Sequence, residues 1–160
     1  MTQDAQTIAW LDQEDARLAQ LIRRHGWAVQ YVSADEEEEP SFAYTVGLFG
    51  LGHPELVVVG VGYDTACGLL NRVGDMVLDG RDLVAGEVIR DDDGVPVLAV
   101  EVLPNAGEVL FSANRFYQRP DEFSVPAYQL TWALPGGIFP WDHGYACEPG
   151  CQPRPGEWRA

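Results

Sequence analysis

The chain has 160 residues, 46% of them hydrophobic, so it is long enough for one domain with a buried core. It carries 25 acidic and 10 basic residues, and the resulting net charge of −15 argues against binding to the phosphate backbone of nucleic acids. All the basic residues are arginine, and the lack of lysine excludes both a Schiff-base mechanism and a phosphate-binding loop whose lysine contacts the phosphates.

The first predicted element is a helix that ends near Gly26, and its apolar stripe consists of Ile8, Leu11, Leu18 and Ile22. A strand is predicted for residues 27–33. The acidic residues that follow, 34–40, are interpreted as a solvated connection or, alternatively, as a loop that binds a partner. Two more strands are predicted for residues 42–48 and 56–61.

These two strands each have one face with little side-chain bulk. Thr45 and Gly47 lie on that face in the first of them, and Gly60 and Gly62 in the second. If the two strands pair, the four residues form a shallow floor. Either a packed helix or a flat ligand would cover such a floor.

A second helix is predicted between Asp64, as its N-terminal cap, and Gly80, which ends it. Residues 82–90 and 95–102 then predict a hairpin, because Asp93–Gly94 is a strong signal for a tight turn between strands.

A third helix is predicted within residues 105–118 and a last strand within residues 127–134. The proline and glycine content of residues 138–160 predicts an irregular tail. This order of elements indicates an α+β fold, with a mainly antiparallel sheet of about six strands, three helices and an irregular C-terminal tail. No linker divides the chain, so we expect residues 1–160 to form a single domain.

The net negative charge leaves several kinds of partner open. A basic protein partner or a metal ion would suit an acidic chain, and solubility alone would also explain the charge. A homo-oligomer stays open as well. No apolar run approaches the roughly 20 residues that span a bilayer, and the N-terminus lacks the pattern of a signal peptide, so we expect a cytoplasmic protein without membrane contact.

Four segments of the chain stand out: FAYTVGL, GHPELVVVG, YQLTWALPGGIFPWD and the dipeptide QP. Together they resemble a bacterial family catalogued as domain of unknown function 4262. The resemblance runs from about residue 27 to residue 153, and residues 1–26 form a helix in front of this family-like core. It implies a small single cytoplasmic domain from a bacterium. It implies no reaction, because the family has no assigned activity.

His53 and Glu55 form the first candidate site. The residue before a proline adopts an extended backbone, and residues two apart in an extended chain point to the same side. The two side chains can therefore lie together, where the carboxylate would fix the tautomer of an imidazole that acts as a general base. Alternatively, both side chains bond to backbone groups and hold the loop in place.

The tail contains a second candidate, a zinc site made of His143, Cys147 and Cys151, with three residues between successive members. Its fourth ligand would be another side chain or water. The alternatives are free thiols, or a single Cys147–Cys151 bridge formed on oxidation. The cysteines are not part of the family pattern, which weakens the case for zinc.

Polar and aromatic residues in or beside the strands form the third candidate, the walls of a pocket for a planar ligand. Its members are Tyr44, Thr45, Gln129, Trp132 and Trp141. The alternative is that the aromatic rings fill the core of the sheet.

Two classes of function follow from these candidates. The first is a non-enzymatic binding or regulatory module that engages a protein partner through its acidic surface. The second is a small enzyme that uses His53 and Glu55 as acid and base, with a metal or a planar ligand. The absence of a nucleophile beside the His–Glu pair favours the first.

Overall fold

Six strands form one sheet in the computed structural model, which describes residues 5–34, 40–147 and 151–160. In chain order the strands are Ala28–Val32 (β1), Phe42–Val46 (β2), Glu55–Val59 (β3), Val88–Arg90 (β4), Pro96–Val102 (β5) and Ala127–Trp132 (β6). Their order across the sheet is β1-β2-β3-β6-β5-β4. All neighbouring pairs are antiparallel except β3 and β6, which are parallel.

Three α-helices cover the two faces of the sheet: Ala5–His25 (α1), Tyr63–Leu78 (α2) and Phe111–Phe116 (α3). Alternate residues of a strand point to opposite faces. Phe42 and Tyr44 therefore enter the core under α1 and α3, whereas Ala43 and Val58 enter the core under α2. The predicted α+β fold, with its mainly antiparallel sheet of six strands and its three helices, is confirmed. Within the described part of the chain, none of the helices combines the length and the apolar character needed to cross a membrane.

Several elements are shorter than predicted, because glycines bend the chain. Strand β2 ends at Val46, since Gly47 adopts a φ of 132° and a 3-10 turn follows at Leu48–Leu51. The first strand of the hairpin keeps only Val88–Arg90, because Gly86 turns the chain with a φ of 91°. In place of the long third helix, a 3-10 turn at Ala106–Glu108 precedes α3.

The described part of the tail is irregular, as predicted, and it returns to the sheet. Gln152 bonds to the backbone of Trp132 at the end of β6. Trp158 is buried in the core under α1 and α3, where its ring lies 4.9 Å from that of Phe42. The acidic residues 35–39, predicted as a solvated or partner-binding connection, lie outside the described residues.

Candidate functional site

Glu55 is completely buried at the start of β3, and its carboxylate accepts four hydrogen bonds. The Thr45 hydroxyl (2.9 Å) and the Leu48 N–H (3.0 Å) donate to Oε1. The N–H groups of Gly47 (2.9 Å) and Phe49 (3.2 Å) donate to Oε2. Because the Leu56 N–H donates to the Thr45 oxygen, the hydroxyl proton is directed to the carboxylate. Glu55 thus holds the turn that leaves β2.

Two opposing effects act on the pKa of Glu55. Burial raises the pKa and the hydrogen bonds, that from Gly47 first, lower it; burial is the larger effect, and the resulting pKa is about 7. The negative charge of Glu55 also reaches its neighbours. The pKa of Tyr117 rises to about 12, chiefly through burial and then through this charge. Burial likewise raises the pKa of Tyr44, with a smaller contribution from Glu55.

His53 is buried and bridges two segments of the chain. Its Nδ1 lies 2.7 Å from the carbonyl oxygen of Pro54, which can only accept, so Nδ1 carries the proton. The Leu83 N–H donates to Nε2 over 3.3 Å. The ring also lies edge-on to Tyr128, with 6.0 Å between the ring centroids. His53 therefore joins the loop before β3 to the segment before β4.

His53 and Glu55 have different hydrogen-bond partners in the structure. Although they are two residues apart, the described part of the chain shows no hydrogen bond or ion pair between them, and each bonds to backbone groups. This is the arrangement of the alternative interpretation, in which both side chains hold the loop. Their roles as acid and base stay a prediction.

We expect His53→Ala to lower the melting temperature by several degrees, because it leaves the Leu83 N–H without an acceptor and opens a small cavity. An unsatisfied buried donor costs about 1–3 kcal/mol. Thermal unfolding followed by circular dichroism measures the change, with His143→Ala as the control because His143 is exposed. An unchanged melting temperature for His53→Ala would contradict the structural role and favour the catalytic one.

Gln129 holds the tail against the sheet, and the indole of Trp132 joins β6 to β3. The Gln129 amide donates to the carbonyl oxygen of Pro153 (2.9 Å) and accepts from the Trp158 indole N–H (2.9 Å). The Trp132 indole donates to the carbonyl oxygen of Val59 (2.8 Å). Gln129 is completely buried, so its polar atoms face the tail and not an open pocket. Sequence reasoning did not identify Trp158.

The side chain of Trp141 is 49% exposed. The Trp141 ring stacks on Phe139, with 4.8 Å between the ring centroids. The guanidinium of Arg154 lies 4.9 Å from the centroid of the Trp141 ring. Arg154 also pairs with Glu101 at 2.6 Å. Among the described residues, Trp141 lines a cavity beside β5, whereas Tyr44 lines a different one, so the five predicted wall residues do not all line one of these cavities.

Backbone atoms lie against two positions of the shallow floor predicted from the glycines. A Cβ at Gly47 would lie 2.9 Å from the carbonyl oxygen of Gly26, in the turn between α1 and β1, and a Cβ at Gly60 would overlap the carbonyl oxygen of Cys151. Ile22 of α1 also lies 3.2 Å from the Cβ position of Gly47. Ala43 and Val58, on the same face of the two strands, pack under α2, which is the arrangement of the packed-helix alternative.

Tyr44 does line a cavity, which we name the α1 cavity. It measures about 280 Å³ and lies between the helices α1 and α3 and the strands β1 and β2. Its apolar walls include Leu11, Leu18, Val32, Phe42 and Val109. The Tyr44 hydroxyl accepts from the Ser112 N–H at 2.9 Å, so this polar atom already has a partner.

Two exposed aromatic residues and one ion-pair cluster also line the α1 cavity. Trp10 is 59% exposed and Phe111 is 61% exposed. Arg115 pairs with Asp12 (3.1 Å) and Asp15 (3.3 Å), which balance its charge. Sequence reasoning missed Trp10 because it lies outside the apolar stripe predicted for α1. The available signal in the sequence was a large aromatic residue outside the apolar stripe of a predicted helix.

The tail cysteines are joined to each other as a Cys147–Cys151 disulfide, and His143 is exposed nearby in the chain. Thiolates are the species that bind zinc, so these sulfurs could serve as ligands only after reduction. In residues 5–34, 40–147 and 151–160, no group of three or more His, Cys, Asp or Glu side chains is placed to hold a metal ion. The zinc site stays a prediction for the reduced chain.

The comparison with protein families gives one result that bears on these features. The model of a family described as Domain of unknown function (DUF4262) matches residues 21–146. The match includes the Glu55 turn, His53, Tyr44 and Trp141, and it ends before Gln152 and Trp158. No curated protein and no solved structure matches the chain.

Proposed function

Since the chain belongs to the DUF4262 family, whose description assigns no reaction, we propose a function from its own geometry: a non-enzymatic binding module whose ligand site is the α1 cavity. The observation that carries the proposal is the pair of exposed aromatic rings, Trp10 and Phe111, beside an apolar cavity. Large exposed apolar side chains at a concave site are typical of binding surfaces.

The size and lining of the α1 cavity favour an apolar group as its ligand. At about 280 Å³ it is close to the lower end of small-molecule pockets, so it suits one aromatic ring or one branched aliphatic group. Arg115 is already paired with two aspartates, so it does not favour an anionic ligand. A small apolar molecule and an apolar side chain of a partner protein share this chemistry.

Catalysis by His53 and Glu55 is the second candidate, and their contacts favour it less. The polar atoms of both side chains are buried and bonded to other groups of the protein.

The cytoplasmic location expected from the sequence belongs to our proposal. In that reducing compartment Cys147 and Cys151 would be thiols.

We expect 4-fluorotoluene, followed by fluorine NMR, to bind the wild-type protein with a dissociation constant on the order of 1 mM. Val109→Phe places a ring in the α1 cavity and should weaken binding at least about tenfold. Val102→Phe is the matched control, because Val102 is 55% exposed and lies outside the cavity. Equal binding by both variants, or no binding by the wild type, would contradict the proposal.

A further inference from the structure

Strand β1 is the open edge of the sheet. It pairs with β2 on one side and has no strand on the other in the described part of the chain. In an antiparallel ladder, successive residues of a central strand bond alternately to its two neighbours. The Gly60 N–H donates to the Ser41 carbonyl oxygen (2.9 Å). The backbone groups of Ser41 and of every second residue after it therefore bond towards β3. Those of Phe42 and of every second residue after it bond towards β1.

The backbone groups that β1 leaves free follow from its register. Phe42 pairs with Val32, and Tyr44 with Gln30, so these β1 residues bond to β2. Val29 and Tyr31 therefore point their N–H and C=O groups away from the sheet. No described residue bonds to these four groups. The opposite edge differs, because β4 has only three residues and an irregular register, which discourages further pairing.

A groove lies at the start of this edge, against Ala28 and Val29, and we name it the β1 groove. It measures about 570 Å³, and its walls are Leu21 and His25 of α1 and Tyr63, Asn71 and Asp75 of α2. An extended chain placed in this groove would bond to the free backbone groups of Val29 and, where it continues along β1, to those of Tyr31. Its side chains would point alternately towards α1 and towards α2.

The charges around the β1 groove favour a basic partner. Asp75 is exposed and has no ion-pair partner among the described residues, whereas Arg17, the basic residue of the groove, is paired with Glu14. The whole chain carries a net charge of −15. Like charge of this size disfavours a second copy of the chain at the same edge.

We propose that the β1 groove binds an extended, basic segment of a partner protein, which adds to the sheet as a seventh strand. Main-chain hydrogen bonds to Val29 and Tyr31 hold the segment, and its arginine or lysine side chains meet Asp75. This site is separate from the α1 cavity, so each proposal can fail without the other.

A fluorescein-labelled octapeptide of alternating arginine and valine tests the backbone part of the proposal by fluorescence anisotropy. We expect it to bind, and the same peptide with glutamate in place of arginine not to bind. Two further peptides carry N-methyl groups on either the odd or the even residues. The one whose blocked N–H groups face β1 should bind about tenfold more weakly than the other, because it loses its hydrogen bonds to the edge.

Variants of the protein test the same site. Val29→Pro removes an N–H that faces the open edge while leaving the ladder with β2 intact, and it should weaken peptide binding about tenfold. Asp75→Asn should weaken binding several-fold, with Asp92→Asn, in the distant β4–β5 turn, as the control. If Val29→Pro does not fold, Asp75→Asn and the methylated pair decide the question. The proposal is overturned if no peptide binds or if both methylated peptides bind equally. It is also overturned if light scattering shows a dimer that Val29→Pro dissociates.

Discussion

Replacing Glu55 with alanine should lower the free energy of unfolding by about 4 kcal/mol. The substitution removes the acceptor of three backbone N–H groups in the turn after β2 and of the Thr45 hydroxyl within β2. It also leaves a cavity in a position that has no exposure to solvent. Unfolding in urea measures the change, and Glu157→Ala is the control because Glu157 is exposed. Equal midpoints for the two variants would show that the turn does not depend on Glu55.

The pKa of Glu55 also predicts how stability depends on pH. The pKa of about 7 in the folded protein lies above the ordinary value of 4.5 for a glutamate. Between these values the folded protein keeps a proton that the unfolded chain has lost, so the stability contributed by this group falls as pH rises from about 4.5 to about 7. Relative to the non-titrating variant Glu55→Gln, the wild type should lose about 3 kcal/mol between pH 4.5 and pH 8. A relative gain would mean that the four hydrogen bonds outweigh burial.

Replacing Trp158 with alanine should cost about 3–5 kcal/mol, which is typical of a buried tryptophan. The change removes the contact with Phe42 and leaves the Gln129 carbonyl oxygen without its donor. Because the same side chain holds the tail on the sheet, limited proteolysis should also cut the tail faster. Urea unfolding and mass spectrometry of the digest measure the two effects.

Trp141→Ala is the matched control for this prediction, because it removes the same side chain from a position that is 49% exposed. We expect it to cost about 1 kcal/mol or less. Trp158→Phe separates packing from hydrogen bonding, since it keeps a ring and loses the N–H. Equal losses for Trp158→Ala and Trp141→Ala would contradict the role we assign to Trp158.

The sequence was sufficient for the type and order of the elements, because these follow from local patterns. The alternation of Phe42, Tyr44 and Val46 correctly predicted which side chains share a face of β2, and the assumed pairing of β2 with β3 is confirmed. The parallel pairing of β3 with β6 could not be predicted in this way. Glu55 and its partner Ala127 are far apart in the chain, and no local pattern records their contact.

The candidate sites show the same limit. The spacing of His53 and Glu55 suggested that they would act together, but their partners come from elsewhere, Leu83 for one and the turn after β2 for the other. Trp158 lies in a segment rich in proline and glycine, where no periodicity marks a buried residue. The α1 cavity is built by three separate elements, so no single stretch of sequence describes it.

The position of β6 has a consequence for how the chain folds. Although β6 is the last strand in the sequence, it lies between β3 and β5 in the sheet. Until it is in place, β1–β3 and β4–β5 are two separate units, and the edges of β3 and β5 are both unpaired. Contacts between residues distant in sequence slow folding, and exposed apolar edges promote aggregation. During synthesis on the ribosome, the edges of β3 and β5 therefore stay unpaired until residues 127–132 have emerged and β6 can form between them.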